Sequence, residues 1–211
     1  MKVAAQLLPD RKISPGTVLR RIFATYRSAT KAAPWFFSDT SNNRSGRFDL
    51  SAPAGTCYFS DDIAGCWLEV FRATRVVQRT DVDARTVTVI TKRQGTMKLA
   101  DLTSPAAVEA GVTLDQSAGA DHHATQALAK NAQQHGLVGV VAWIRHDPAA
   151  RFRNFALFGK AGAAHKPPGW DTAEEPLAQH VADMTTRLGV RVAGIPHDLP
   201  IAQPPTHRGR P

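Results

Sequence analysis

The hydrophobic positions along the chain follow two periods, one typical of strands and one typical of helices. Alternating or continuous apolar residues predict strands at residues 17–23, 56–59, 86–90, 98–103, 137–144 and 152–158. Apolar spacing of three and four residues, with proline and glycine at the ends, predicts helices at residues 61–72, 105–110, 121–135 and 175–188. Strands and helices are mixed without strict alternation, which favours an α+β fold.

These segments divide the chain into one main domain with short extensions. We predict an N-terminal lead at residues 1–16, the main domain at 17–160, a linker and C-terminal helix at 161–195, and a disordered proline-rich tail at 196–211. The 211 residues, 43% of them hydrophobic, suit one soluble globular domain. No run of eighteen apolar residues and no signal-peptide core is present, so we expect a cytoplasmic protein without membrane contact.

The candidate chemistry is concentrated in the stretch 45–72, where a strand, a turn and a helix follow one another. On the predicted helix, Glu69 lies outside the apolar face and Gly65 lies one turn before it. A glycine inside a helix costs about 1 kcal/mol relative to alanine, and room for a ligand beside Glu69 is one explanation. The alternative is that Glu69 is solvated and pairs with Arg72, three residues along the helix.

The charge of the chain indicates an anionic partner. The net charge is +8 and the sequence pI is about 10.0, which suits a phosphate-bearing small molecule, an acidic protein or nucleic acid. No run of five basic residues occurs, so direct nucleic-acid binding is not expected. On the first predicted strand Arg20 and Arg21 point to opposite faces, and we choose Arg21 as the residue that faces a site.

The sequence lacks the spacing of a metal site or a nucleotide loop. Cys57 and Cys66 have no paired zinc-ligand spacing, and His122 and His123 point about 100° apart on a helix. Neither a GxxxxGK loop nor a GxGxxG loop after a strand is present. We therefore expect no metal and no permanently bound cofactor.

The order of several short motifs resembles the RES domain family. An arginine on the first strand is followed by Gly46-Arg47-Phe48, a strand with Tyr58-Phe59, and a helix with Leu68-Glu69-Val70. The match continues through LADL at 99–102, TQALA at 125–129, GVV at 139–141, RHD at 145–147 and NFALF at 154–158. The resemblance makes residues 17–160 a RES-like catalytic domain. It also implies a largely antiparallel sheet flanked by helices, as in ADP-ribosyltransferases.

The resemblance also implies an activity and a set of site residues. It implies the toxin of a toxin–antitoxin pair, held inactive by a helix-turn-helix (Xre-type) antitoxin, that cleaves the nicotinamide–ribose bond of NAD⁺ by phosphorolysis or hydrolysis. Inorganic phosphate is then a potential co-substrate. Glu69, Tyr58 and Arg47 are implied as catalytic residues, and Arg21, Arg47, Arg145 and Asn154 as residues that bind NAD⁺.

One position departs from the family pattern. A serine usually precedes the arginine of the Arg-His-Asp motif, whereas Ile144 precedes Arg145 here. Isoleucine neither donates nor accepts a hydrogen bond, so the alternative is a catalytically weakened protein that binds NAD⁺ or a partner. Transfer of ADP-ribose to a protein is a second alternative that the resemblance leaves open.

Overall fold

The computed structural model describes residues 8–24, 35, 45–72, 74–119, 121–162 and 166–194. Ten strands, six α-helices and one 3-10 helix lie in this part of the chain. The strands are β1 Asp10–Ile13, β2 Val18–Ala24, β3 Ala54–Ser60, β4 Val76–Gln78, β5 Arg85–Lys92, β6 Met97–Asp101, β7 Gly139–Trp143, β8 Arg153–Lys160, β9 Trp170–Pro176 and β10 Arg191–Ala193. The helices are α1 Ile63–Phe71, α2 Arg79–Asp83, α3 Pro105–Glu109, α4 Leu114–Ala118, α5 His122–Gln134 and α6 Val181–Leu188, with the 3-10 helix at Leu177–His180.

Eight strands form one sheet in the order β1-β6-β7-β8-β3-β2-β5-β9. Neighbouring strands are antiparallel, except that β6 and β7 are parallel. β4 and β10 form a separate parallel pair. The α+β prediction with a largely antiparallel sheet is therefore confirmed.

Both faces of the large sheet carry a hydrophobic core, because the strands alternate apolar side chains between the two sides. One face packs against α5 through a cluster that includes Phe48, Leu128 and Val140, and against α1 and α6 through a cluster that includes Trp67 and Met184. The opposite face is covered by a third cluster, which includes Leu19, Cys57, Ile90, Leu99 and Leu157. Helix α1 is thus fixed against the central strands of the sheet.

Helix α1 begins two residues later than the sequence predicts. Asp62 is its N-cap, and the Asp62 carboxylate accepts a hydrogen bond from the Ala64 amide at 2.7 Å. Ser60, which the Ser-Asp-Asp sequence before the helix also offers as a cap, instead donates its hydroxyl to the Arg153 carbonyl at 2.8 Å. The side chain of Ser60 therefore links β3 to the start of β8.

The two ends of the chain differ from the prediction. The predicted lead at 1–16 contains β1, which pairs with β6 at the sheet edge. The predicted linker at 161–195 contains β9, which pairs with β5 over seven positions, and β10. The helix expected at 175–188 begins only at Val181, after the 3-10 helix. The tail at 196–211 lies outside the described residues.

Among the helices of the described ranges, none has both the length and the apolar character needed to cross a membrane.

Candidate functional site

The candidate site lies in the large sheet at the point where strands β2 and β3 diverge. These strands pair through a single Cα pair, Arg20 and Ser60, whereas β3 and β8 pair at seven positions. Beyond that pair, Ile22 of β2 and Tyr58 of β3 line a cavity instead of continuing the ladder. Its volume of about 340 Å³ lies within the usual range of small-molecule sites.

The cavity brings together all six residues that the sequence predicts for the site. The six are Arg21, Arg47, Tyr58, Glu69, Arg145 and Asn154, and each contributes to the wall. They come from β2, the loop before β3, β3, α1, the β7–β8 turn and β8. The side chains are therefore distant in sequence but share one concave surface.

An ion pair between Arg47 and Glu69 lies in this wall. Arg47 Nη2 is 3.2 Å from Glu69 Oε1, and the two side chains are 7% and 33% exposed. Arg47 Nη1 also donates to the Ser117 carbonyl at 3.1 Å, and more weakly to the Trp143 carbonyl at 3.4 Å. Burial lowers the pKa of Arg47, and the Glu69 carboxylate opposes that shift. Glu69 thus pairs with Arg47 and not with Arg72, the partner that helical spacing offered.

The hydroxyl of Tyr58 is engaged inside the protein. It donates to Asp49 Oδ1 at 2.7 Å and accepts from the Phe48 amide at 2.8 Å. Burial and the neighbouring Asp49 carboxylate raise the pKa of Tyr58 well above its ordinary value. A Cβ at Gly46 would lie 2.4 Å from the Tyr58 oxygen, so glycine is required there. Tyr58 therefore presents its ring to the cavity and uses its hydroxyl to fix the segment that carries Arg47.

Comparison with known proteins identifies the family. Residues 18–182 match the RES domain family, which is most of the chain. The chain belongs to the RES domain family. The resemblance read from the sequence is confirmed, and the match extends past residue 160 to include β9 and the start of α6.

A solved structure has the same fold as this RES domain. It is the MbcT chain in the crystal structure of the M. tuberculosis MbcT–MbcA toxin–antitoxin complex, with a TM-score of 0.54 and 19% sequence identity. The alignment covers 80% of this chain and 89% of that chain. No curated protein sequence matches the chain.

Both arginines of β2 line the RES-domain cavity. Arg20 pairs with Ser60 and shares the sheet face of Tyr58, while Arg21 donates to Cys57 Sγ at 3.1 Å on the other face. The strand pattern led us to expect only Arg21 at the site. Both side chains line the cavity, because β2 and β3 diverge beside them. The strand pattern alone gives no signal for that parting.

Gly65 and Ile144 both take part in the packing of α1 against the sheet. A Cβ at Gly65 would lie 2.3 Å from Ser60 Oγ and 3.2 Å from Ile144 Cδ1. The glycine therefore allows α1 to approach the sheet closely, and it does not make room for a ligand. Ile144 is 1% exposed within the cluster under α1 and does not line the cavity. The position of the family serine is therefore occupied here by a buried apolar side chain.

Asn154 places an unsatisfied amide next to the cavity. The residue is 4% exposed, and its Oδ1 atom has no hydrogen-bond partner in the described part of the chain. Buried amide oxygens are normally paired, so this group is suited to a ligand or an ordered water. Its position opposite Ser60 in the β3–β8 register places it near the point where β2 and β3 part.

Sequence reasoning missed several residues of the wall. The additional polar residues are Arg20, Ser60, Arg72, His122 and His146. Arg72 lies three residues after Glu69, and His146 directly follows Arg145. Nearness in sequence to these predicted residues could therefore have indicated Arg72 and His146. With these residues the wall contains five arginines and one carboxylate, that of Glu69, among the described residues.

The described part of the RES domain offers neither a metal site nor an activated thiol. It contains no group of three or more His, Cys, Asp or Glu side chains that could hold a metal ion. Burial raises the pKa of Cys57 to about 11 and that of Cys66 to about 12. Both thiols are therefore protonated near neutral pH and unsuited to nucleophilic catalysis.

Proposed function

We propose that this RES domain is an NAD⁺-consuming enzyme that cleaves the bond between nicotinamide and ribose. The observation that carries the proposal is the Glu69 carboxylate, which is oriented by Arg47 and faces a strongly cationic cavity. The family membership supports it, because NAD⁺ is the substrate that the resemblance implies. NAD⁺ acts here as substrate, and no permanently bound cofactor is part of the proposal.

Glu69 would stabilise the charge that develops during bond cleavage. When neutral nicotinamide leaves, positive charge forms on the ribose, and a nearby carboxylate lowers the free energy of that transition state. Glu69 Oε1 is held by Arg47, while Oε2 has no hydrogen-bond partner among the described residues. That second oxygen is available to face the ribose or to accept from one of its hydroxyl groups.

Arg47 would act through Glu69 and not as a diphosphate clamp. Its guanidinium is nearly buried and already donates to Glu69 and to two backbone carbonyls. Its implied role in binding NAD⁺ directly is therefore replaced in our proposal by positioning of the carboxylate. Arg21, Arg145 and Asn154 are kept as NAD⁺-binding residues, and we propose that Arg21, Arg145 and Arg20 bind the diphosphate while Asn154 is a neutral hydrogen-bonding group.

The biological context we propose is that of a toxin–antitoxin pair. The solved chain with the same fold was crystallised in a toxin–antitoxin complex. We propose a helix-turn-helix antitoxin of the Xre type as the partner of this chain. Co-expression with a small helix-turn-helix protein encoded beside it should relieve growth arrest and yield a stable complex, and growth that is unaffected by the domain alone would contradict the toxin assignment.

The direct test of the activity is release of nicotinamide from NAD⁺. Purified full-length protein is incubated with NAD⁺ in the presence and absence of inorganic phosphate, and products are separated by chromatography. We expect nicotinamide together with ADP-ribose or its phosphorylated form. No nicotinamide release in either condition would overturn the proposal. NAD⁺ labelled in the adenylate part separates the alternatives, because label attached to protein indicates ADP-ribosyl transfer.

A further inference from the structure

The wall of the cavity contains few groups that can take up a proton near neutral pH. Its arginines stay charged and only donate, and the phenol of Tyr58 keeps its proton because burial raises its pKa. Among the described wall residues, Glu69 and the imidazoles of His122 and His146 remain. Uptake of a proton by Glu69 would remove the negative charge on which its proposed role depends. A proton acceptor for the reaction is therefore to be sought in the two imidazoles.

The two imidazoles differ in their surroundings. His122 Nδ1 lies 3.4 Å from Ser45 Oγ at the start of α5, so one of its nitrogens is turned to the protein. His146 is half-buried, and neither of its ring nitrogens has a hydrogen-bond partner in the described part of the chain. Both nitrogens of His146 are therefore available to a water molecule or a substrate in the cavity.

The turn that carries His146 is fixed on both sides of this residue. Ile144 is buried in the cluster under α1, and its carbonyl accepts from the Asp147 amide at 3.1 Å. The Asp147 carboxylate is buried and accepts from the Arg151 amide at 2.6 Å and from the Arg151 guanidinium at 2.8 Å. His146 thus lies between two anchored residues, which fix the position of its backbone in the cavity wall.

The charges that act on His146 come from three elements of the wall. Burial is the largest cause that lowers the pKa of His146 from its ordinary value of 6.5, and the Glu69 carboxylate of α1 opposes it. The guanidinium groups of Arg145 on the same turn, Arg72 at the end of α1 and Arg47 before β3 lower the pKa further. The imidazole is therefore neutral near pH 7 and able to accept a proton beside the carboxylate that is proposed to face the ribose.

We propose that His146 is the general base that activates water as the acceptor when NAD⁺ is cleaved. The inference rests on the proposed function and deepens it by assigning the acceptor. Water attacks C1′ of the ribose, the bond from C1′ to the nicotinamide nitrogen breaks, and its electron pair leaves with neutral nicotinamide. A proton of the attacking water passes to a ring nitrogen of His146, and the imidazolium then releases it to solvent. The products are ADP-ribose, nicotinamide and one proton.

The use of water distinguishes this role of His146 from a purely structural one. A phosphate dianion attacks through an oxygen that carries no proton, so phosphorolysis has no need of the base. Loss of His146 should therefore lower hydrolysis about 100-fold or more, the usual contribution of a general base, and lower phosphorolysis much less. The ratio of ADP-ribose to its phosphorylated form should fall, whereas a general loss of folding would lower both products equally.

The test compares His146→Gln with the wild-type full-length protein and with two further variants. His122→Gln replaces the second imidazole of the wall, and His135→Gln, which should match wild type, replaces an exposed histidine at the end of α5. Nicotinamide release from NAD⁺ is measured from pH 8 to pH 5 in phosphate-free buffer, and at pH 7.5 with inorganic phosphate, and both forms of ADP-ribose are quantified. Without phosphate, the wild-type rate should fall as the pH drops below 6.5, because the imidazole becomes protonated.

The outcomes separate the role of His146 from the proposed function. Slower hydrolysis with a smaller share of ADP-ribose in His146→Gln supports the role. Three results overturn it and leave the cleavage activity standing: wild-type release only with phosphate, a wild-type rate without phosphate that does not change with pH, or an unchanged product ratio in His146→Gln. The first two use wild type alone, so they decide the question even where a variant folds poorly.

Two further outcomes also count against His146. A changed product ratio in His122→Gln and not in His146→Gln assigns the base to His122 and overturns the proposal. No nicotinamide release by wild type in either condition overturns the proposed function together with the role of His146.

Discussion

Arg47 Nη2 lies 3.2 Å from Glu69 Oε1, in a pair whose arginine is 7% exposed and whose carboxylate is 33% exposed. The buried member is fixed by the Ser117 and Trp143 carbonyls, and the exposed member faces the cavity. In our proposal this asymmetry divides the roles, with Arg47 positioning Glu69 and the Glu69 carboxylate facing the substrate. The pair joins the loop before β3 to α1 across the cavity wall.

Replacing Glu69 with glutamine should remove activity and lower the free energy of unfolding, because the nearly buried Arg47 guanidinium loses its counter-charge. Glutamine keeps an oxygen that accepts from Arg47 but loses the negative charge that stabilises the developing cation on ribose. We expect nicotinamide release to fall about 100- to 1000-fold, as for other preorganised electrostatic groups. Asp83→Asn, on the exposed Arg79 pair, is the control for loss of one surface carboxylate. Equal rates for Glu69→Gln and wild type would exclude the proposed role.

Arg47→Lys should lower both stability and activity. Lysine keeps the positive charge but lacks the planar guanidinium, which donates hydrogen bonds to Glu69 and to the Ser117 and Trp143 carbonyls. A buried acceptor left unpaired costs about 1–3 kcal/mol, so the free energy of unfolding measured in urea should fall by about that amount. Activity should fall at temperatures where the variant remains folded, since Glu69 loses its support. Unchanged stability would show that the buried contacts contribute little.

Tyr58→Phe separates the role of the ring from that of the hydroxyl. The variant keeps the ring at the cavity but removes the oxygen that joins Asp49 to the Phe48 amide. We expect a loss of about 1–3 kcal/mol in the free energy of unfolding and activity close to wild type in the folded fraction. Tyr58→Leu, which also removes the ring, should lower activity further. A large loss of activity at unchanged stability in Tyr58→Phe would instead assign the hydroxyl to the chemistry.

The sequence is most informative where apolar spacing is strong. Helix α1 and the position of Glu69 outside its apolar face follow from the three- and four-residue pattern, and β5 follows from its β-branched residues. β1 and β9 are edge strands with mostly polar, exposed side chains, so they lack the alternation that marks a half-buried strand. Their pairing depends on partners distant in sequence.

The candidate site was predictable as a set of residues but not as a geometry. Family motifs name Arg47, Tyr58 and Glu69, but the pairing of Arg47 with Glu69 depends on the approach of a loop to a helix 22 residues later. Likewise, the place of Arg20 in the wall depends on where β2 and β3 part, and no local pattern encodes that point. Tertiary contacts therefore decide which charged side chains pair within the protein and which face the cavity.

Gly65→Ala should destabilise the protein although alanine is the better helix former. The new Cβ would lie 2.3 Å from Ser60 Oγ and 3.0 Å from Phe152 Cβ. The overpacking should cost about 1–3 kcal/mol, more than the gain of about 1 kcal/mol in helix propensity. The double variant with Ser60→Ala removes the closest of these contacts, so in thermal unfolding its loss of stability should be smaller than the sum of the losses of the two single variants. A more stable Gly65→Ala would show that α1 has room to move away from the sheet.

Protonation of His146 should destabilise the folded state in mildly acidic solution. Burial lowers the pKa of His146 below its ordinary value of 6.5, Glu69 opposes the shift, and Arg145, Arg72 and Arg47 add to it. The unfolded chain therefore binds the proton first as pH falls, so the free energy of unfolding decreases from pH 6.5 down to the lower pKa of the folded state. The aspartates whose pKa values are shifted have values lowered from an ordinary 3.8, so they lie below this pH window.

Urea unfolding at pH 7.5 and 5.5 should show this loss of stability in wild type and a smaller loss in His146→Gln, with His135→Gln as an exposed control. An equal pH dependence in all three proteins would contradict the assignment.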